Sequence, residues 1–160
     1  GPLMNPQVFT QTAEESLNGL YKLALSILRH QADAQDAVQQ ALIKTWEKRD
    51  RIREDSFKAY LTRVVINECR NIQRERMRVS PQELPALPAP ETPPGYRALY
   101  EAIGLLPENY RLPILLKYLN GLSEKEAAAA LRIPIPAFKS RLHRARKALK
   151  AQLDREVVFE

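Results

Sequence analysis

Apolar residues recur at three- and four-residue spacings along most of this chain, the period of an α-helix and not of a strand. Residues 14–30 place Leu17, Leu20, Tyr21, Ala24 and Leu28 on one side. A second stripe, Val38, Leu42, Thr45 and Trp46, predicts a helix that starts at Asp33 or the residue after it and runs to about Lys48. The segment DRIREDS, residues 50–56, is polar and reads as a loop. A third helix is predicted from Phe57 to about Met77, with Phe57, Leu61, Val64, Val65 and Ile72 turned inward. No segment carries a strand period, so the chain is expected to be all-α.

The pattern breaks between Val79 and Gly95, where Pro81, Pro85, Pro88, Pro90, Pro93 and Pro94 fall within one stretch. Proline removes a backbone donor and clashes with the preceding turn, so neither a helix nor a central strand survives that density. At ~3 Å per residue such a linker could reach roughly 50 Å. The expected organisation is two small helical domains, residues 5–78 and 96–153, joined by a Pro-rich linker over 79–95. Domains of this size have thin cores. Few contacts are expected to cross the linker in the free protein.

The second domain is expected to open with a helix over residues 96–106, stop at Pro107 and resume from Glu108 to about Asn120. Pro113 should kink that second helix or delay its start. Then comes GLSEKEAAAALRIPIPAFKSRLHRARKALK, residues 121–150. Ser123 and Glu126 form a capping-box signature, and Ala127, Ala130 and Leu131 supply a small apolar side. Beyond a tight turn, Phe138, Leu142, Ala145 and Leu149 share one face, while Ser140, His143, Arg144 and Lys147 share another. Between Lys139 and Lys150 there are six Lys or Arg residues and no acid. A small helix followed by a basic amphipathic one suits a helix-turn-helix reader of duplex DNA. A solvated surface helix or a membrane-surface helix carries a similar pattern.

Composition narrows the choice. The net charge is +6 and the pI about 9.6, which favours a polyanionic or acidic partner. A second cationic stretch, RNIQRERMR, holds Arg70, Arg74, Arg76 and Arg78 against one acid, Glu75. Its alternative is a solvated helix C-terminus that complements the dipole. One cysteine, Cys69, excludes an intramolecular disulfide and fits a reducing cytosol. Two distant histidines and one cysteine assemble no His/Cys metal cluster, and no cofactor motif is visible. No run reaches the roughly 18 apolar residues of a membrane span. Gly1, Pro2 and Leu3 ahead of Met4 look like a protease-cleavage remnant.

Three blocks together resemble a bacterial sigma factor of the extracytoplasmic-function type. DAQDAVQQALIKTWEK (33–48) resembles regions 2.1 to 2.2, SFKAYLTRVVINECRNIQRERMR (56–78) regions 2.3 to 2.4, and residues 105–149 region 4. KSRLHRAR after a GLS-x-x-E helix is the most specific of these signals. The resemblance implies a region 2-like domain of three or four helices and a region 4-like helix-turn-helix domain. It implies a transcription initiation factor that binds core RNA polymerase, at the largest-subunit clamp and the flap, and directs it to promoters. No catalytic residues are implied. Control by an anti-sigma factor and a cytoplasmic location are expected, with no membrane insertion of its own.

By the same resemblance, Asp36, Gln39, Gln40 and Trp46 would lie in or beside the polymerase contact, although Trp46 reads equally well as core. The −10 element, as a melted strand, would be held by Asn67 and Asn71 through base edges and by Arg63, Arg70 and Arg74 at phosphates. Residues 50–56 would form the pocket wall. The −35 element would be read by Lys139, Ser140, Arg141, His143, Arg144 and Lys147. Arg144 is the candidate for a bidentate contact to guanine, and Arg141 and Arg146 are expected to grip phosphate or to pack.

The sequence also departs from the family pattern. Arg132 stands where the turn usually has glycine, and Ile133-Pro134-Ile135-Pro136 replaces the usual Ser or Thr cap, at a cost of about 1 kcal/mol. Gln40 stands where Glu is common. A dimeric operator-binding regulator and a nucleic-acid-processing enzyme are the competing classes. The first lacks an evident dimerisation surface, and the second lacks paired carboxylates, a nucleophile constellation or a Gly-rich phosphate loop.

Overall fold

A computed structural model describes residues 2–79 and 96–158, with side chains described through residue 155. The expected linker, 79–95, lies outside the described residues except for Val79, which closes a helix. Seven α-helices follow in order among the described residues: α1 (Pro6–Leu28), α2 (Gln31–Glu47), α3 (Phe57–Val79), α4 (Arg97–Leu105), α5 (Glu108–Ile114), α6 (Glu124–Leu131) and α7 (Ile135–Val158). Among the described residues there is no strand beyond one isolated bridge, Leu3 to Arg53. The all-α expectation holds.

Helices α1, α2 and α3 pack on one another. Asn5 caps α1 through its side-chain oxygen, which accepts from Val8 N at 2.9 Å, with Pro6 in the first turn. The helix thus begins eight residues earlier than its apolar stripe suggested. Leu20, Leu23, Ala24, Ile27 and Leu28 are its buried face; Leu17, expected inward, is 45% exposed. The start of α2 also differs from expectation. His30 is the cap, its Nδ1 accepting from Asp33 N at 3.3 Å, and Asp33 sits inside the first turn, where its charge meets the positive end of the helix dipole. Residues 50–56 form two short 3-10 turns, Arg49–Arg51 and Glu54–Ser56. Phe57, Leu61, Val65, Ile66 and Cys69 of α3 close the core between the three helices.

In the second unit α7 packs against α4, α5 and α6. Pro113 lies inside α5, and the chain beyond it widens into one π-helical turn, Leu115–Leu119. Proline withholds a donor and crowds the turn before it, so the distortion belongs where the sequence placed it. Phe138, Leu142 and Ala145 of α7 are buried, as their spacing required. Ala128 is buried as well, beside Ala127 and Ala130, so small residues cover more of α6 than the one-sided pattern indicated. Burial of a Phe or Leu side chain contributes about 1.5–3 kcal/mol.

The two units do not stand apart. Helix α6 lies against α3, and the π turn touches α1. The buried apolar residues of both units form one continuous cluster. The expectation that few contacts would cross between the domains is therefore corrected. The joint also includes polar side chains placed far apart in sequence, such as Arg111 with Ser26 and Arg70 with Glu108, which hydrophobic periodicity does not register.

Candidate nucleic-acid interface

Two faces carry the candidate residues. The first is on α7, and its supporting turn is built from local signals. Ser123 Oγ accepts from Glu126 N at 3.0 Å while Ser123 N donates to Glu126 Oε1 at 2.9 Å, a complete capping box at the start of α6. Helix α6 ends at Arg132, whose backbone is left-handed with φ 57° and ψ 44°. Arg132 N donates to Ala129 O at 3.1 Å and Ile133 N to Ala128 O at 3.0 Å, the paired bonds of a Schellman ending. An arginine thus performs the turn that glycine performs without strain. Phe138 N donates to Pro134 O at 3.0 Å, so α7 starts without a side-chain cap, and Pro136 falls in its first turn where no donor is needed.

With Phe138, Leu142 and Ala145 buried, Lys139, Ser140, His143, Arg144 and Lys147 are all exposed on α7. Arg144 Nε donates back to Ser140 O at 3.4 Å, and the residue is exposed. Arg141 is half-buried, and the exposed Arg146 donates through Nε to Tyr118 Oη at 2.8 Å.

The second face is on α3. Asn67, Asn71 and Arg74 are exposed; Arg63 and Arg70 are partly covered. All five line one open cleft of about 460 Å³, together with Lys44 of α2, Lys48 at the cap that follows it, Tyr60, and Arg132 of the α6–α7 turn. Six cations thus border the cleft with a single acid, Glu68, and that acid is held by Lys44. Arg63 lies over the Tyr60 ring, 4.9 Å from its centroid. Asn71 Oδ1 accepts from Arg74 Nη2. The arginine stretch at the end of α3 is less free than its sequence implied. Arg76 is paired with Asp33, Arg78 with Glu75 at 2.6 Å, and Arg70 with Glu108 of the other unit. Counting acids only within the stretch missed two distant partners.

A third set lies on α2. Asp36, Gln39 and Gln40 are exposed alongside Ile43, which is 51% exposed. Trp46 is packed on one side and exposed on the other. One edge packs on Phe9, with ring centroids 5.0 Å apart at 72°, and Arg49 caps the ring 3.9 Å from its centroid, yet 37% of the residue is exposed.

Several residues were not singled out from sequence. Glu68 sits on the apolar stripe of α3 at a helical spacing from Val65 and Ile72, and is 8% exposed. Arg111 is 5% exposed in a run of buried apolar residues. Each was detectable as a charge at a core position. Burial lowers the Arg111 pKa, and Arg29 nearby lowers it further. Burial pushes the Cys69 thiol up to about 12 despite the opposing charge of Arg70. Among the described residues no group of three His, Cys, Asp or Glu side chains could hold a metal ion, and no helix is long and apolar enough to cross a membrane.

The comparison with known families decides the class. Residues 13–79 match Sigma-70 region 2 and residues 96–149 match Sigma-70, region 4. The chain belongs to the sigma-70 family, as an ECF RNA polymerase sigma factor. It is 30% identical over 151 residues to the ECF RNA polymerase sigma-E factor of Escherichia coli K12, covering 81% of this chain and 79% of that protein. It is 27% identical over 146 residues to the ECF RNA polymerase sigma factor SigE of Mycolicibacterium smegmatis, covering 84% of this chain but only 57% of that longer protein. Among solved structures, the sigma factor RpoE of Bartonella quintana, in complex with the anti-sigma factor NepR, is similar with a TM-score of 0.74 and 30% identity, over 91% of this chain and 96% of that one. CnrH, in complex with the cytosolic domain of CnrY, is similar with a TM-score of 0.67 and 27% identity, over 94% and 90%. As a sigma factor the protein is a transcription initiation factor that directs RNA polymerase to promoters, and it is not an enzyme.

Proposed function

We propose that the sigma factor divides promoter reading between its two domains, residues 5–78 and 96–153 on either side of the segment 79–95. The α7 face, with Lys139, Ser140, Arg141, His143, Arg144 and Lys147, reads the −35 element in the major groove. The α3 cleft, with Arg63, Asn67, Arg70, Asn71 and Arg74, holds the −10 strand once it is melted. Asp36, Gln39, Gln40 and Trp46 on α2 meet the polymerase clamp, and the flap meets the second domain. The protein works in the cytoplasm under an anti-sigma factor, as the NepR partner of the similar Bartonella quintana RpoE suggests.

One observation carries the division of labour. The two cationic faces differ in kind. On α7 the cations stand on a convex, exposed helix, which fits a groove. On α3 they line a concave cleft with two asparagines and a tyrosine ring, which fits splayed bases and their phosphates and not a duplex. Transcription in vitro with core polymerase on a promoter library tests the assignment. Substitutions on α7 should change which upstream sequences are used, and substitutions on α3 should change the yield of open complexes. Identical effects from both sets would refute the division.

A further inference from the structure

The loop between α2 and α3 has almost no core of its own. Its two 3-10 turns carry no side-chain cap, and Ile52 is the only buried residue from 49 to 56. The partner of Ile52 lies ahead of α1. Met4 N donates to Ile52 O at 2.9 Å, Leu3 and Arg53 form the antiparallel bridge, and Glu54 N donates to Pro2 O at 2.9 Å. Leu3 is 54% exposed, whereas Met4 and Ile52 are each 5% exposed and belong to one apolar cluster. A single bridge in water is marginal by itself, so the buried side chain decides whether the pairing persists. Met4 is also fixed from behind. It precedes the cap Asn5, and Phe9 stands at the fourth position of α1, the two positions of a hydrophobic staple. Phe9 packs in turn on Trp46 and Phe57, with ring centroids 5.0 and 5.2 Å away. Trp46 is in the last turn of α2 and Phe57 begins α3, so the start of α1 meets the loop at its middle and at both ends.

We propose that Met4 is a positioning residue for −10 recognition, holding the loop 50–56 where it walls the base pocket. The proposal rests on the reading of that loop as the pocket wall. Lys48 and Tyr60, on either side of the loop in sequence, both line the α3 cleft, so the loop leaves and rejoins the chain at the cleft. Met4 touches neither DNA nor polymerase in this assignment; it acts through Ile52. A recognition loop must be held within a fraction of an ångström to keep its contacts with a base, and a loop with one buried residue takes that precision from whatever holds the residue. Loss of the Met4 side chain therefore degrades reading of the −10 element and leaves the α7 face as it was.

Transcription in vitro with core polymerase, on promoter libraries randomised at one element or the other, provides the test. Met4→Ala should lower base discrimination at the −10 element about 3–10-fold and leave discrimination at the −35 element unchanged. Met4→Leu refills the volume and should stay within about twofold of the native chain. Ile27→Val trims a buried side chain at the far end of α1 and serves as a loss of stability away from the loop. It should leave the −10 preference as it was. In the free chain, trypsin should cut after Arg51 and Arg53 at least about fivefold faster in Met4→Ala, and at the native rate in Met4→Leu. An unchanged cutting rate or unchanged −10 discrimination in Met4→Ala overturns the proposal, as does an equal loss of discrimination in Ile27→Val. The double variant Glu54→Ala, Asp55→Ala tests the underlying reading separately. A −10 preference unaltered in that variant removes the loop as the pocket wall whatever Met4 does. A preference altered there but not in Met4→Ala keeps the wall and discards the positioning role.

Discussion

The carboxylate of Glu68 on α3, 8% exposed, is held by the ammonium of Lys44 on α2 at the side of the cationic cleft. Removing Lys44 strands a covered charge, although the exposure of Lys44 lets water soften the loss. Lys44→Ala should destabilise the fold by about 1–2 kcal/mol. Glu68→Gln added to it should recover part of that loss. Urea unfolding of the two single variants and the double variant measures the coupling, and strictly additive effects would deny the pair.

Cys69 gives a pH dependence with a definite sign. Its thiol is pushed up to about 12 in the fold, chiefly by burial. In the unfolded chain a thiol ionises near about 8.5. Between those values the folded state binds more protons, so stability is intact below the lower value and falls as pH rises towards the higher one. The slope from this one group cannot exceed about 1.4 kcal/mol per pH unit. Comparison of unfolding curves for the native chain and Cys69→Ala from pH 8 to 11 should show the steeper decline in the native chain. The folded protein should also leave a thiol reagent unreacted at pH 8 and consume it after denaturation.

Arg132 holds a left-handed backbone at φ 57°. Its Cβ crowds the neighbouring carbonyl there, and glycine escapes that crowding. Arg132→Gly should raise stability by up to about 1 kcal/mol, less whatever freedom glycine adds to the unfolded chain. Arg132→Val should lower it. Thermal unfolding of both variants checks the order, and a stability loss in the glycine variant would contradict the strain argument.

Arg144 and Lys150 are both exposed cations of α7 and should behave differently. A guanidinium can satisfy two acceptors on one guanine, so Arg144→Ala should cost about 1–3 kcal/mol at one upstream position and relax the preference there. Lys150→Ala should weaken all promoters by a similar factor, because a phosphate contact carries no direct sequence information. A promoter-library measurement decides. Uniform loss in Arg144→Ala would make Arg144 a phosphate clamp.

Asn67 and Asn71 are exposed on the cleft side of α3, one turn apart. Replacing either with alanine should reduce the yield of open complexes more than the capture of closed ones. The measurement is open-complex yield at saturating holoenzyme. Unchanged opening in both variants, with polymerase binding intact, would remove them from the strand site.

The helices were legible because each buries one stripe at a fixed period; Phe138, Leu142 and Ala145 are the plainest case. The helix starts were not, because His30 and Asn5 cap them by side-chain hydrogen bonds ahead of the apolar stripe. The members of the α3 cleft could be named from the resemblance, but their occupancy could not. Arg70 meets Glu108, and Arg76 meets Asp33, across sequence distances that no local count of charge spans. Arg111 and Ser26 lie 85 positions apart, and only the folded chain shows that they meet.

The reading face of α7 is short. From residue 139 to 147 a helix rises about 12 Å, which is the width of one major groove. At about 3.4 Å per base pair such a face spells a word of about four letters. A four-letter word occurs by chance about once in 256 positions, whereas a genome offers about 10⁶–10⁹ competing sites. The upstream word alone therefore carries too little information to single out a promoter, and an address must consist of two words read together at a set separation.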